Sequence, residues 1–401
     1  MTELSTPRLA PIKLRQGGQS LRERAMDRES PLRRLDWVLV ASVASLCVIG
    51  CALVYAATKP ILINSGLSPT SYLKKDVLNL VIGVGLAVVA SLVDYRTLRA
   101  YTPVLYVASI IGLLAVLVPH VGVTVNGAHS WINLGGGFEI QPAEFAKIAV
   151  ILGMAMLLSE RREGLDAPTS KDAVLSLAIC APPVLLILAQ PDVGSIMVFG
   201  FIVFGVLSLS GVSLRWVGGM IVVAIVGIVV IAHAHLLKQY QIDRLTSFAR
   251  PASSAASQTT GYNANEARIA IGHGGVFGQG LFHGSQVNGG FVPFDYTDFV
   301  FSVAGEELGL VGAALLVVLA GIVLWRGLRI ARRAEDSFGV LVAVGVVCWF
   351  GFQIFENIGM NLGIMPITGL PLPFVSYGGS SMFASMVAVG LLLNVHMRSA
   401  R

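Results

Sequence analysis

Three carboxylates stand where an apolar segment begins. The run Pro293-Phe-Asp-Tyr-Thr-Asp-Phe-Val-Phe-Ser-Val-Ala-Gly-Glu-Glu-Leu-Gly309 carries Asp298, Glu306 and Glu307 from a long polar loop into a Phe-, Val- and Ala-rich stretch. A carboxylate entering lipid is costly, and its position reads as functional by default. An acid at the membrane–water boundary suits proton chemistry on a lipid-linked substrate. The base must reach the proton it takes directly or through one water. Asp298 is the candidate; the plainer alternative is that Asp298 or Thr297 caps the helix that follows. Glu306 and Glu307 cannot both avoid lipid unless the interior of the protein is polar. Gln353, Glu356, Asn357 and Asn361 recur at helical spacing and supply such a seam. It serves either as a structural hydrogen-bond network or as part of a substrate path.

A second constellation is Gln141-Pro-Ala-Glu-Phe-Ala-Lys147. Pro142 suits a first helical turn, and Glu144 complements the positive end of the helix dipole. Glu144 and Lys147 are three apart and share a face. They form a cap with a local ion pair, or Lys147 faces a cavity and binds a phosphate as a point charge. In Gln190-Pro-Asp-Val-Gly-Ser195, Asp192 is an N-cap or a substrate contact. Trp131, in Asn126-Gly-Ala-His-Ser-Trp-Ile-Asn133, is an aromatic-belt anchor or a loop residue that stacks on a sugar.

The elements that must position these residues lie in a membrane. The 401 residues are 55% hydrophobic and 13% charged, against roughly 25% charge in soluble domains. Ten apolar runs reach helix-spanning length, at about 36–58, 76–93, 101–120, 144–159, 172–189, 193–210, 213–234, 299–325, 338–362 and 375–395. The alternating polarity of a membrane β-barrel is absent. With the N-terminus inside, 20 of the 28 Lys and Arg residues fall on the inner side and 7 on the outer. The positive-inside rule therefore expects both termini in the cytoplasm. The net charge of +5 follows membrane topology and is no sign of nucleic-acid binding. Residues 1–35 are expected to be a disordered, basic cytoplasmic tail, and 36–397 the ten-helix domain.

The outer side carries the unusual loops. Residues 235–297 form a long extracellular loop, a length that is often functional. Within it, 262–282 has the spacing of a short interfacial or re-entrant helix. The glycines that follow suit close approach of backbone to a ligand, or a flexible linker. Cys47, Cys51, Cys180 and Cys348 all fall in apolar segments and read as small buried apolar residues.

Five motifs in fixed order make this chain similar to a known family. They are Asn126-Gly-Ala-X-Ser-Trp-Ile, Gln141-Pro-Ala-Glu-Phe-X-Lys147, Gln190-Pro-Asp-X-Gly-Ser195, Tyr-Thr-Asp298-Phe-Val-Phe with Glu306-Glu-Leu-Gly309, and Gly369-Leu-Pro-Leu-Pro-Phe-Val-Ser-Tyr-Gly-Gly-Ser380. Together they resemble the SEDS family of shape, elongation, division and sporulation proteins, leaning toward its elongation branch. The resemblance implies ten transmembrane helices, a glycosyltransferase that polymerises lipid II into peptidoglycan, and a class B penicillin-binding protein as partner. It puts the family's essential aspartate at Asp298, its loop tryptophan at Trp131, and its acid and lysine at Glu144 and Lys147. Phe294 and Tyr296 stand where the family usually has Glu and His, and Arg250-Pro251 where it has Asp-Pro.

The chemistry this implies is an inverting transfer, with Asp298 taking the proton of the attacking 4-hydroxyl. The leaving diphosphate needs positive charge from Lys147, Arg244 or a divalent metal such as Mg or Mn, and Ser376 is a further substrate contact. No metal site is legible from spacing. A lipid II flippase and a non-enzymatic scaffold that activates a partner synthase are the rival readings. A transporter should show inverted repeats, and none is convincing here.

Overall fold

The computed structural model describes residues 34–119, 121–125, 128–135, 138–160, 168–233 and 260–399. Residues 1–33 of the basic tail, Arg244 and Arg250-Pro251 lie outside them. Residues Asp36–Arg401 belong to one unit, and it is built almost wholly of helices. Those preceding the long loop are α1 (Trp37–Asn64), α2 (Ser71–Leu92), α3 (Tyr95–Leu117), α4 (Pro142–Leu158), α5 (Ser170–Ala189), α6 (Val193–Leu209) and α7 (Leu214–His233). Those from the loop onward are α8 (Thr260–Gly274), α9 (Ser285–Gly289), α10 (Val300–Glu307), α11 (Gly309–Arg333), α12 (Ser337–Leu362) and α13 (Gly379–Ser399). Among the described residues seven helices are long and apolar enough to cross a membrane, and α6 and the apolar part of α7 are shorter.

Polar side chains set the helix starts. Asp36 accepts the Leu39 amide at 3.1 Å, Asp192 the Ser195 amide at 3.0 Å and Asp336 the Gly339 amide at 2.8 Å. Each satisfies a donor that an open helix end would leave exposed. Asp36 also pairs with Arg326 at 2.5 Å, which ties the start of α1 to α11. Burial divides the bundle. The apolar stretches of α12 and α13 are 78% and 83% buried, against 22% and 17% in α2 and α3. α12 is therefore the central post, contacting α4, α6 and α11, while α2 and α3 leave most of their surface exposed.

Two features depart from the sequence reading. Residues 121–143 contain an antiparallel sheet of β1 (Gly122–Val125), β2 (Ala128–Gly135) and β3 (Phe138–Ile140), in the order β1-β2-β3. Trp131 is a strand residue, opposite Val123, and not a loop residue. The expected helix over 299–325 is broken at Gly309, which takes φ +67°. A Cβ there would fall 2.2 Å from the Gly278 amide nitrogen. The glycine loop after α8 repairs the break. Leu310 and Val311 amides donate to Gly275 and Val276 carbonyls at 3.0 and 3.1 Å. Gln279 and Gly280 amides donate to Glu306 and Glu307 carbonyls at 2.9 and 3.0 Å. Non-helical backbone at membrane depth needs such protein partners. These glycines thus serve close approach, of backbone to backbone.

Candidate functional site

Asp298 lies in the turn that precedes α10. The cap position of that helix belongs to Phe299, so Asp298 stands one residue outside it. The turn closes on one carbonyl. Phe294 O accepts the amides of Thr297, Asp298 and Phe299 at 3.2, 3.1 and 3.2 Å. Phe294 itself takes φ +59°, a genuine outlier for a bulky residue and typical of strain held at functional sites.

The turn hangs from α12. Asn357 and Asn361 amides donate to the Asp298 carbonyl at 2.8 and 3.2 Å, and Asn361 Oδ1 accepts the Ser302 amide at 3.1 Å. The same helix face holds the loop that follows α12. Asn357 donates to Leu370 O at 2.8 Å and Gln353 to Pro371 O at 2.7 Å. Gly369 of that loop faces Asp298: a Cβ there would lie 3.5 Å from Asp298 Oδ2. The polar seam is therefore a structural network, with most of its amides engaged by backbone.

Aromatic and acidic residues surround the turn. Tyr296 meets Tyr72 of α2 at 5.2 Å and Tyr377 at 6.0 Å between ring centroids, and the Tyr377 amide donates to Tyr296 O at 3.0 Å. Burial pushes the Tyr296 phenol well up and the Tyr377 phenol to about 12, so both remain neutral donors. Asp295 is 1% exposed. Burial first, then the Glu307 and Glu306 charges, raises its carboxyl to about 7. Tyr72 escapes sequence reasoning altogether, since a tyrosine at a helix end is an ordinary boundary residue.

Glu306 has a defined task. Its carboxylate accepts Ser285 Oγ at 3.1 Å and the Gln286 and Val287 amides at 2.7 and 3.1 Å. It thereby caps α9 from outside the helix.

The remaining motifs converge on the same end of the bundle. The Gln141 amide donates to Ser380 Oγ at 2.9 Å and its side chain to Asp192 Oδ2 at 3.0 Å, joining the starts of α4, α13 and α6. One turn inside α4, Lys147 is 0% exposed. Its ammonium meets Glu144 Oε1 at 2.5 Å and Gln353 Oε1 at 3.4 Å, with the Trp349 ring 4.9 Å away. Ser376 Oγ accepts the Leu372 amide at 2.8 Å, within its own loop. Trp131 is half-buried on β2, whose partner β3 leads into Gln141. Among the described residues no group of three or more His, Cys, Asp or Glu side chains is arranged to hold a metal ion.

Bundle and site define a helical, multi-pass membrane protein with an acid on a firmly anchored turn where several motif-bearing helices meet. Residues 36–401 match the FtsW/RodA/SpoVE family of cell cycle proteins, and the chain belongs to that family, the SEDS family of the sequence reading. It is 34% identical to the peptidoglycan glycosyltransferase MrdB of Escherichia coli K12, across 92% of this chain and 97% of that protein. It is 35% identical to stage V sporulation protein E of Bacillus subtilis, across 90% and 96%. Identity to the probable peptidoglycan glycosyltransferase FtsW of Geobacter metallireducens is 33%, across 92% and 96%. Among solved structures, a chain of a peptidoglycan synthase complex that coordinates polymerization and crosslinking superposes with a TM-score of 0.73. It is 32% identical and covers 92% of this chain and 99% of its own. The rod shape determining protein RodA of Thermus thermophilus gives 0.66 at 30% identity, with coverage of 92% and 98%.

Proposed function

We propose that this chain is a peptidoglycan glycosyltransferase that polymerises lipid II by inverting transfer at the outer face of the cytoplasmic membrane. The observation that carries the reading is the clamped turn. Two asparagines of the central helix fix the Asp298 backbone and so anchor the residue whose carboxyl lies across from Gly369. Preorganisation of this kind is what a general base requires.

Asp298 takes the proton of the acceptor's 4-hydroxyl as the oxygen attacks the anomeric carbon. The C–O bond forms on one face and the bond to the undecaprenyl diphosphate breaks on the other. Lys147 is the assigned cation at this end, and direct contact with diphosphate requires its pair with Glu144 to open. Trp131, Ser376 and Arg244 complete the assigned substrate contacts. A divalent metal such as Mg or Mn is the other source of positive charge for the leaving diphosphate.

The ten-helix topology with both termini in the cytoplasm rests on the 20-to-7 charge split. A class B penicillin-binding protein as partner is supported by the likeness to a synthase-complex chain. The enzyme reading is preferred over a flippase because, among the described residues, the seam's amides are engaged by backbone carbonyls. The test is purified protein in detergent, without partner or membrane potential, given labelled lipid II. Glycan strands are the expected product. Lipid II left unpolymerised would favour a flippase or a scaffold.

A further inference from the structure

The polar seam of α12 holds a fourth residue whose cost is harder to account for. Glu356 is 0% exposed. Its Oε1 accepts the Thr368 hydroxyl, and its Oε2 has no hydrogen-bond partner. Among the described residues it makes no ion pair. Burying a carboxyl with one oxygen unanswered lowers stability, and an apolar residue would avoid that penalty. An ionisable group held inside a membrane segment at such a cost points to function.

Its one bond leads to the reacting group. Thr368 precedes Gly369, the residue facing Asp298 Oδ2. The next two carbonyls, of Leu370 and Pro371, hang from Asn357 and Gln353. Thr368 and Leu370 also pack on Gly194 at the start of α6. The wall opposite Asp298 is thus suspended from one helix face at three points. Glu356 supplies one of the two points that flank Gly369, beside the asparagine that supplies the other and fixes Asp298 itself.

We propose that Glu356 is a positioning residue of the transfer reaction: by accepting the Thr368 hydroxyl it pins the Thr368–Gly369–Leu370 segment against the Asp298 carboxyl. This rests on the glycosyltransferase reading above. Glu356 acts as an acceptor and carries no proton in the reaction. Loosening the wall displaces the attacking hydroxyl relative to its base, and rate is steeply sensitive to such displacement.

The experiment is steady-state lipid II polymerisation by the purified full chain and four variants, with thermal unfolding measured in the same detergent. Glu356→Leu should lower kcat at least tenfold, about 1.4 kcal/mol of barrier, with KM within about twofold. Thr368→Val should give the same loss. The double variant should lose no more than either single change, because both remove one bond. Glu356→Gln keeps an acceptor oxygen and should restore most of the rate. Glu356→Leu should unfold at or above the wild-type temperature, since it removes an unsatisfied buried oxygen. A Glu356→Gln rate as low as that of Glu356→Leu, additive losses, or a rate loss matched by a lower unfolding temperature would each overturn the proposal. A wild-type protein that makes no glycan would instead refute the reading on which it rests.

Discussion

Glu306→Gln tests how α9 is held against the end of α10. The wild-type carboxylate divides its work. Oε1 serves Ser285 Oγ and the Gln286 amide, and Oε2 the Val287 amide. Glutamine keeps one acceptor oxygen. With that oxygen turned to Gln286, its NH2 group faces the Val287 N–H, donor against donor. A hydrogen bond to a charged group is worth about 1.5–3 kcal/mol, so local opening of α9 should become easier by about 2 kcal/mol. Amide exchange at Val287 should then quicken about 30-fold, since 1.4 kcal/mol is tenfold. The two retained bonds also lose their charge, so this is the smaller end of the effect. Hydrogen exchange followed by mass spectrometry over 281–292, in detergent, reads it directly. Acceleration below about threefold, or roughly 0.6 kcal/mol, would mean that Glu306 does not hold this segment.

Three further outcomes follow from the site. Lys147→Met leaves Glu144 buried and unpaired, and should destabilise the protein by about 3–5 kcal/mol; adding Glu144→Leu should recover most of that in detergent unfolding. A buried neutral Asp295 makes stability pH-dependent, because its carboxyl titrates at 3.8 ordinarily and at about 7 in the fold. The folded state holds its proton longer than the unfolded chain, so stability falls as pH rises from about 4 to about 7 and is flat above. The stabilising effect of Asp295→Asn, measured by unfolding temperature, should widen over that window and then level; a constant difference would refute it. Ser254→Cys, in the expected outer loop, should react with an impermeant thiol reagent on intact cells, and labelling only in opened membranes would reverse the proposed topology.

The helices were legible because lipid leaves a long, simple signal. Each expected apolar run contains a helix, and the ends marked by Pro142 and Asp192 were readable from cap chemistry. The break at Gly309 was not, since its cause is a partner loop some thirty residues earlier in the chain. The sheet around Trp131 was hidden by glycines and a weak alternation. The spacing of Gln353, Asn357 and Asn361 showed a polar face, but only the fold reveals that this face grips the Asp298 turn. Lys147 and Glu144 were found as neighbours from their spacing, while their complete burial depends on α12 and Trp349 packing over them.

The central claim is that Asp298 is the base. Its backbone carbonyl, not its side chain, is what Asn357 and Asn361 hold, so Asp298→Asn should leave the turn in place. The decisive measurement is lipid II polymerisation by the purified Asp298→Asn protein, with binding and unfolding measured alongside. The account predicts a stable variant that binds lipid II and makes no glycan. Polymerisation within about tenfold of wild type, or roughly 1.4 kcal/mol of barrier, is too small a loss for an essential base and would contradict it.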